Sequence, residues 1–215
     1  MPAKGEHVGM HGLSRRMFGT AVATTALVAM TGSIATADDD AGYVEMTLGN
    51  PDAQLVVTEY LMFTCPHCKN FHETVYPRLK QEYIDTGRIL YRVREAYFNR
   101  PALWAAMIAR CGGQDKYFGI SDMLFARQDD WSRQESPAAI VERLAGIGMA
   151  AGLTMDQIQV CLSDATNAEM LFNTQLEHLA EDDIDSTPSF VIEGERYSNM
   201  SYDDFAEILD SHLAE

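Results

Sequence analysis

Positive charge is scarce in this sequence: 16 Lys and Arg face 32 Asp and Glu, a net charge of −16. A surface so acidic opposes binding to nucleic acid or to anionic lipid. Beyond residue 37 no apolar run reaches the ~20 residues that a bilayer span needs. Internal repeats and low-complexity segments are also missing from that part of the chain. Cysteine is sparse, with four in 215 residues. Hydrophobic residues make up 47% and charged residues 22%, which suits a buried core and excludes a mainly disordered chain. The length fits one domain, or one domain carrying a large insertion.

Residues 1–37 read as an address. Ser14-Arg15-Arg16-Met17-Phe18 is a twin-arginine pattern, although Gly19-Thr20 stand where that motif usually continues with Leu-Lys. Met17 to Ala37 carries no charge and ends in Ala35-Thr36-Ala37, followed by Asp38-Asp39-Asp40. Basic region, apolar region and small-residue cleavage site follow in the order of an export signal. The alternative is a retained membrane anchor, but the run is poor in Leu, Ile and Phe and would span weakly. Cleavage after Ala37 is the expectation.

All four cysteines, Cys65, Cys68, Cys111 and Cys161, lie beyond the signal. An even count in an exported chain suits an oxidising compartment. Around them the pattern predicts short strands at 43–48, 55–61 and 89–94, with a helix over 70–83 that Pro77 should kink and Gly87 should close. From Pro101 to Asp183 strand signals vanish. Helical stretches are expected over 102–110, 115–127, 138–149, 155–162 and 168–181. The pattern then returns to β at 188–192 and 195–197 around a Glu193-Gly194 turn, and ends in a helix over 202–213 capped by Ser201. The fold class is therefore α/β. Residues 38–100 and 184–215 form one domain, and an all-helical insertion occupies 101–183.

The chemistry concentrates at Cys65-Pro66-His67-Cys68, between an apolar strand and a helix. Cys65 falls near the N-cap and Pro66 near the first helical position, where its preset φ and missing N–H are no penalty. The unpaired N–H groups and partial positive charge of a helix N-terminus stabilise a thiolate there. A protonated His67 would stabilise it further. Cys68, a turn deeper, suits the resolving thiol. A C-x-x-C can also be half a zinc site or a structural disulfide. Zinc needs two further ligands at similar spacing, and Cys111, Cys161 and His72 are too scattered. The strand–motif–helix placement argues against a purely structural bridge. Trp104, Met107, Met123, Phe125 and Trp131 read as core, and His72, His178 and His212 as helix-surface residues.

The stretch from Val57 to Cys68, Val-Thr-Glu-Tyr-Leu-Met-Phe-Thr-Cys-Pro-His-Cys, resembles the active-site stretch of DsbA-like thiol:disulfide oxidoreductases of the thioredoxin superfamily. The resemblance covers nearly the whole chain after the signal. It implies a thioredoxin-like fold with the helical insertion described above. It also implies that Thr187-Pro188 is a cis-proline loop facing the cysteines, binding substrate backbone and tuning the redox pair. By the same resemblance, buried Glu59 relays protons to or from the inner cysteine. Cys111 and Cys161 resemble the second, structural disulfide that a subset of such proteins carries in the insertion.

These readings lead to an expected periplasmic oxidase that donates its Cys65–Cys68 disulfide to reduced exported proteins. A quinone-linked membrane thiol oxidase is the expected reoxidant, and no cofactor, metal or nucleic acid is expected to take part. The alternatives are an isomerase or reductase and a non-catalytic peptide-binding module. Isomerases of this type usually add an N-terminal dimerisation domain, for which the short segment between signal and first strand leaves no room.

Overall fold

A computed structural model describes residues 42–214. The export signal assigned to residues 1–37 lies outside the described residues. The sheet has five strands: β1 (Met46–Gly49), β2 (Leu55–Leu61), β3 (Ile89–Glu95), β4 (Ser189–Ile192) and β5 (Glu195–Ser198), in the order β1-β3-β2-β4-β5. β2 and β3 run parallel, with Glu59 opposite Val93, while the other neighbours are antiparallel. Parallel neighbours need a crossover, and here it consists of α1 (Pro66–Thr74), α2 (Tyr76–Leu79) and a π turn over Lys80–Ile84.

The expected 70–83 helix is thus three pieces. The cause is Pro77, which lacks the N–H that would bond back to Glu73 and so forces a break at Val75. Its apolar face survives the break, since Phe71, Val75, Leu79 and Tyr83 are all buried. Gly87 adopts φ +74 and ends the segment as expected.

Six helices lie between β3 and β4: α3 (Arg100–Arg110), α4 (Gln114–Ala126), α5 (Gln128–Ser132), α6 (Pro137–Ala150), α7 (Met155–Ser163) and α8 (Ala165–Glu181). Asn99, Ser136, Thr154 and Asp164 cap four of them through side-chain acceptors. The expected 115–127 stretch is α4, and α5 is a further five-residue helix that follows it, outside any stretch expected from the sequence. β1 is shorter than the expected 43–48 strand, because pairing with β3 begins only at Met46. Cys111, at the end of α3, is joined by a disulfide to Cys161 in α7, with Cα atoms 5.8 Å apart. The β4–β5 turn places Glu193 at φ 48 and Gly194 at φ 80, which is the backbone a two-residue hairpin demands. α9 (Tyr202–Leu213) closes the chain.

β2 is the centre of the sheet and is buried on both faces. Successive strand residues point to opposite sides. Val57, Glu59 and Leu61 look onto the face covered by α1, where Phe71 meets Phe190 of β4 and Phe205 of α9 in tilted and edge-on contacts. Tyr60 looks the other way and donates to Asp182, at the end of α8, at 2.5 Å.

A second buried polar cluster ties β3 to the inserted helices. Glu95, 3% exposed, accepts from Arg110 Nε at 2.8 Å and from a second Arg110 nitrogen at 2.6 Å. The Tyr117 hydroxyl donates to the same carboxylate at 2.8 Å. Arg110 also donates to the Val44 carbonyl and to the Tyr43 hydroxyl.

Candidate functional site

β2 ends at Leu61 and the chain turns, with Cys65 N–H bonded to the Met62 carbonyl at 2.9 Å. Cys65 takes extended backbone angles (φ −82, ψ 121) at the N-cap of α1, and Pro66 occupies the first turn. A thiol at this cap leaves the helix N–H groups without the usual Ser or Asp acceptor, so they remain directed at sulfur. Cys65 is 6% exposed and Cys68 is fully buried, whereas Pro66 and His67 face solvent. Both cysteines are free thiols.

Two distant segments complete the site. The Thr187–Pro188 peptide bond is cis, and the Thr187 carbonyl accepts from the Cys65 thiol at 3.3 Å. From α5, Gln128 Nε2 donates to the Phe63 carbonyl at 2.8 Å and to the Cys65 carbonyl at 2.9 Å. Gln128 is buried, and nothing in the sequence marks it, because a five-residue helix has no periodicity to read. Lys69, just after the motif, adds an exposed ion pair to Asp129 of the same short helix. Asn99 bonds Thr64 at 2.9 Å while capping α3.

Ionisation separates the two thiols. Cys65 is pulled down from the ordinary thiol value to about 5, first by a hydrogen bond from the Cys68 thiol. The backbone N–H groups of Cys68 and His67 and the Thr187 side chain act in the same direction, against the opposing effect of burial. Cys68 is pushed well up, chiefly by burial, then by its bond to Cys65 and by the charges of Cys65 and Glu59.

Glu59 is completely buried, so it does not reach solvent from its strand. It accepts from the Tyr91 hydroxyl at 2.6 Å, and His72 Nε2 lies 3.1 Å from each of its oxygens. This corrects the sequence reading of His72 as a surface residue. Its side chain is 6% exposed because Phe125 of α4 stacks over the ring at 4.2 Å. His178 is also partly covered, by Tyr43. Trp131, Met107 and Phe125 are core, whereas Trp104 and Met123 are half-buried. Among the described residues no group of three or more His, Cys, Asp or Glu is placed to hold a metal ion.

The thioredoxin family model matches residues 43–211. The chain belongs to the thioredoxin family. Its DsbA-like character rests on solved structures and on sequence relatives together. Alpha-DsbA1 of Wolbachia pipientis superposes with a TM-score of 0.73 at 26% identity, over 79% of this chain and 91% of that one. BdbD of Bacillus subtilis shares the fold, with a TM-score of 0.71 at 20% identity over 80% of this chain and 94% of that one. A Rickettsia bellii protein provisionally named a protein-disulfide oxidoreductase is 38% identical over 80% of this chain. The chain spans 65% of that relative's length. In this DsbA-like site, Gln128 is expected to be a structural clamp. Gln128→Ala takes the donor from the buried Phe63 carbonyl, while the Cys65 carbonyl keeps the Lys69 N–H, and this costs about 1–3 kcal/mol. Urea unfolding of the reduced protein would measure the loss, and an unchanged midpoint would remove Gln128 from the clamp.

Proposed function

We propose that this protein is an exported thiol:disulfide oxidoreductase that donates the Cys65–Cys68 disulfide to reduced proteins in the periplasm. The observation that carries this reading is the opposed ionisation of the two thiols. A stabilised Cys65 thiolate stabilises the reduced form, so the disulfide form is the stronger oxidant. In the first step a substrate thiolate attacks Cys65 Sγ, the Cys65–Cys68 bond breaks, and Cys68 leaves and takes up a proton. A second substrate thiolate then attacks the substrate sulfur of the mixed disulfide, and Cys65 leaves as a thiolate. The substrate loses two electrons and becomes a disulfide, while the enzyme pair gains them. The protein-disulfide oxidoreductase name of the Rickettsia bellii relative supports the same chemistry.

In this reading Glu59 serves Cys68 as a proton partner, Thr187 and Pro188 receive the substrate backbone, and His67 and Pro66 shape the thiolate site. Pro188 has no N–H to spend on the sheet, and β4 begins only at Ser189. Residues 38–100 with 184–215 act as the redox domain, and 101–183 as a helical insertion braced by the Cys111–Cys161 bridge. A membrane thiol oxidase returns the pair to the disulfide. Amino-terminal sequencing of protein recovered from the periplasm should begin at Asp38.

The deciding experiment is a titration of the Cys65–Cys68 pair against glutathione, with Cys65→Ser as control. The expected result is an oxidising couple above the glutathione potential. A strongly reducing couple would move the assignment to a reductase. Repair of scrambled disulfides at rates matching dithiol oxidation would move it to an isomerase.

Stability should report the same asymmetry. The folded pKa of Cys65 lies below its unfolded value, so thiolate stabilisation is fully present above the unfolded value and is lost as pH falls through about 5. At pH 7 the reduced protein is therefore expected to melt a few degrees above the disulfide form. That advantage should disappear on acidification to about pH 5. Paired melting curves across this range would test it, and a disulfide form that is the more stable at pH 7 would contradict the reading.

A further inference from the structure

The proton that Cys68 gains and loses has no direct path to solvent. Cys68 and Glu59 are both at 0% exposure. Reduction by a substrate dithiol leaves one proton on Cys68, and reoxidation by a small disulfide such as oxidised glutathione must remove it again. Each turnover therefore moves one proton into the core and one out.

His72 is placed to carry it. It follows Cys68 by four residues on α1, so the two side chains share a helix face. Nε2 faces both Glu59 oxygens at 3.1 Å, and the Tyr91 hydroxyl donates to one of them, Oε2, at 2.6 Å. The second ring nitrogen, Nδ1, is buried and has no hydrogen-bond partner among the described residues. An unpaired buried polar atom costs about 1–3 kcal/mol, so its surroundings matter. His72 lines a cleft of about 230 Å³ with Tyr76, Lys80, Asp122, Phe125 and Ala126. The cleft is roomy enough for water and has polar groups to hold it. Asp122, from α4, is exposed, and its carboxyl is raised by the protein packed around it, while the charge of His72 acts in the opposite sense. Glu73, on the same helix as His72, also reaches the cleft.

We propose that His72 and this cleft form the proton route between Glu59 and solvent. Nε2 exchanges a proton with the Glu59 carboxylate, and Nδ1 exchanges one with water in the cleft, beside Asp122. An imidazole suits the task because one nitrogen accepts while the other donates. Stacking on Phe125 at 4.2 Å and a tilted contact with Tyr76 at 4.7 Å hold the ring with each nitrogen on its own side. The inference rests on the exchange chemistry proposed above and names the positioning residue that couples it to solvent.

The test follows glutathione-driven opening and closing of the Cys65–Cys68 bond by stopped flow, in H₂O and D₂O. His72→Gln keeps a donor to Glu59 but cannot pass a proton through. It is expected to slow the Cys68-dependent step by about ten- to a hundredfold, at or below the lower end of what general acid–base groups in direct contact with the reacting atoms supply. The solvent isotope effect should grow, while Cys65 alkylation keeps its midpoint at about pH 5. Added imidazole should restore much of the rate to His72→Ala. Ala126→Met fills the cleft with His72 intact and should slow the same step, which keeps the test alive if the His72 variants fold poorly. Parent-like rates and isotope effects in these variants would overturn the route. Slowing without an isotope effect or imidazole rescue would assign His72 to packing and overturn it as well. A parent protein that exchanges with glutathione at no pH would instead remove the function on which the route depends.

Discussion

Iodoacetamide at pH 7 is expected to alkylate the reduced protein at Cys65, at least about a hundredfold faster than at Cys68. The thiolate is the reacting species. With a pKa of about 5, Cys65 is almost wholly ionised at pH 7, whereas Cys68, raised well above the ordinary value, is almost wholly protonated. A weakly basic thiolate is also a weaker nucleophile, with a Brønsted slope of about 0.4–0.5 in exchange reactions. That lowers the height of the Cys65 rate plateau but leaves its midpoint where ionisation puts it. Full burial of Cys68 then widens the gap, because the reagent must wait for the core to open. Peptide mapping of the alkylated protein, repeated across pH, measures both quantities. A Cys65 midpoint near 8, or equal labelling of the two cysteines, would show that the helix N-terminus does not hold a stable thiolate.

The second large effect concerns the fold. Glu95→Ala should cost about 3–5 kcal/mol, because it strands the Arg110 guanidinium in a buried site. Arg110 is 8% exposed at its side chain, and its two strongest bonds go to that carboxylate. Tyr117 loses its acceptor in the same substitution. The double variant Glu95→Met with Arg110→Met removes both charges and should recover most of the loss. Denaturant midpoints of the single and double variants test the account. If the double variant is as unstable as Glu95→Ala, packing around the pair matters more than its charge.

Much of this was legible in the sequence. The strand before Cys65 and the proline after it fixed the motif at a helix N-terminus, since few other arrangements suit a proline directly after a half-capping residue. Thr187-Pro188 could be located because the DsbA-like resemblance implies a cis-proline loop there, with a hairpin and a capped helix after it. His72 and Gln128 could not be read in the same way. His72 has the i+4 spacing from Cys68 that puts it on the active-site face, but it is buried only because α4 packs over that face. No local pattern announces that contact. Gln128 belongs to a helix too short to show a period, and its two acceptors lie more than 60 residues earlier in the chain. The split of the long helix was visible in Pro77, whereas the π turn after it left no mark.

The clamp on Cys65 has a kinetic side. Cys65 is 63 residues from Gln128, and 122 residues from the Thr187 carbonyl. Contacts of such high sequence separation form late, since each must first meet the entropy of closing its loop. The local strand and helix around the motif can assemble early, but the nucleophile gains its full environment only when both remote segments have docked. A partly folded chain with only the local strand and helix in place already brings the Cys68 thiol and the helix N–H groups to Cys65, and lacks only the contacts from Thr187 and Gln128. Topology thus splits the site in two: the contacts that set the Cys65 sulfur are mostly local, and those that fix its backbone carbonyl and the facing loop arrive from far along the chain.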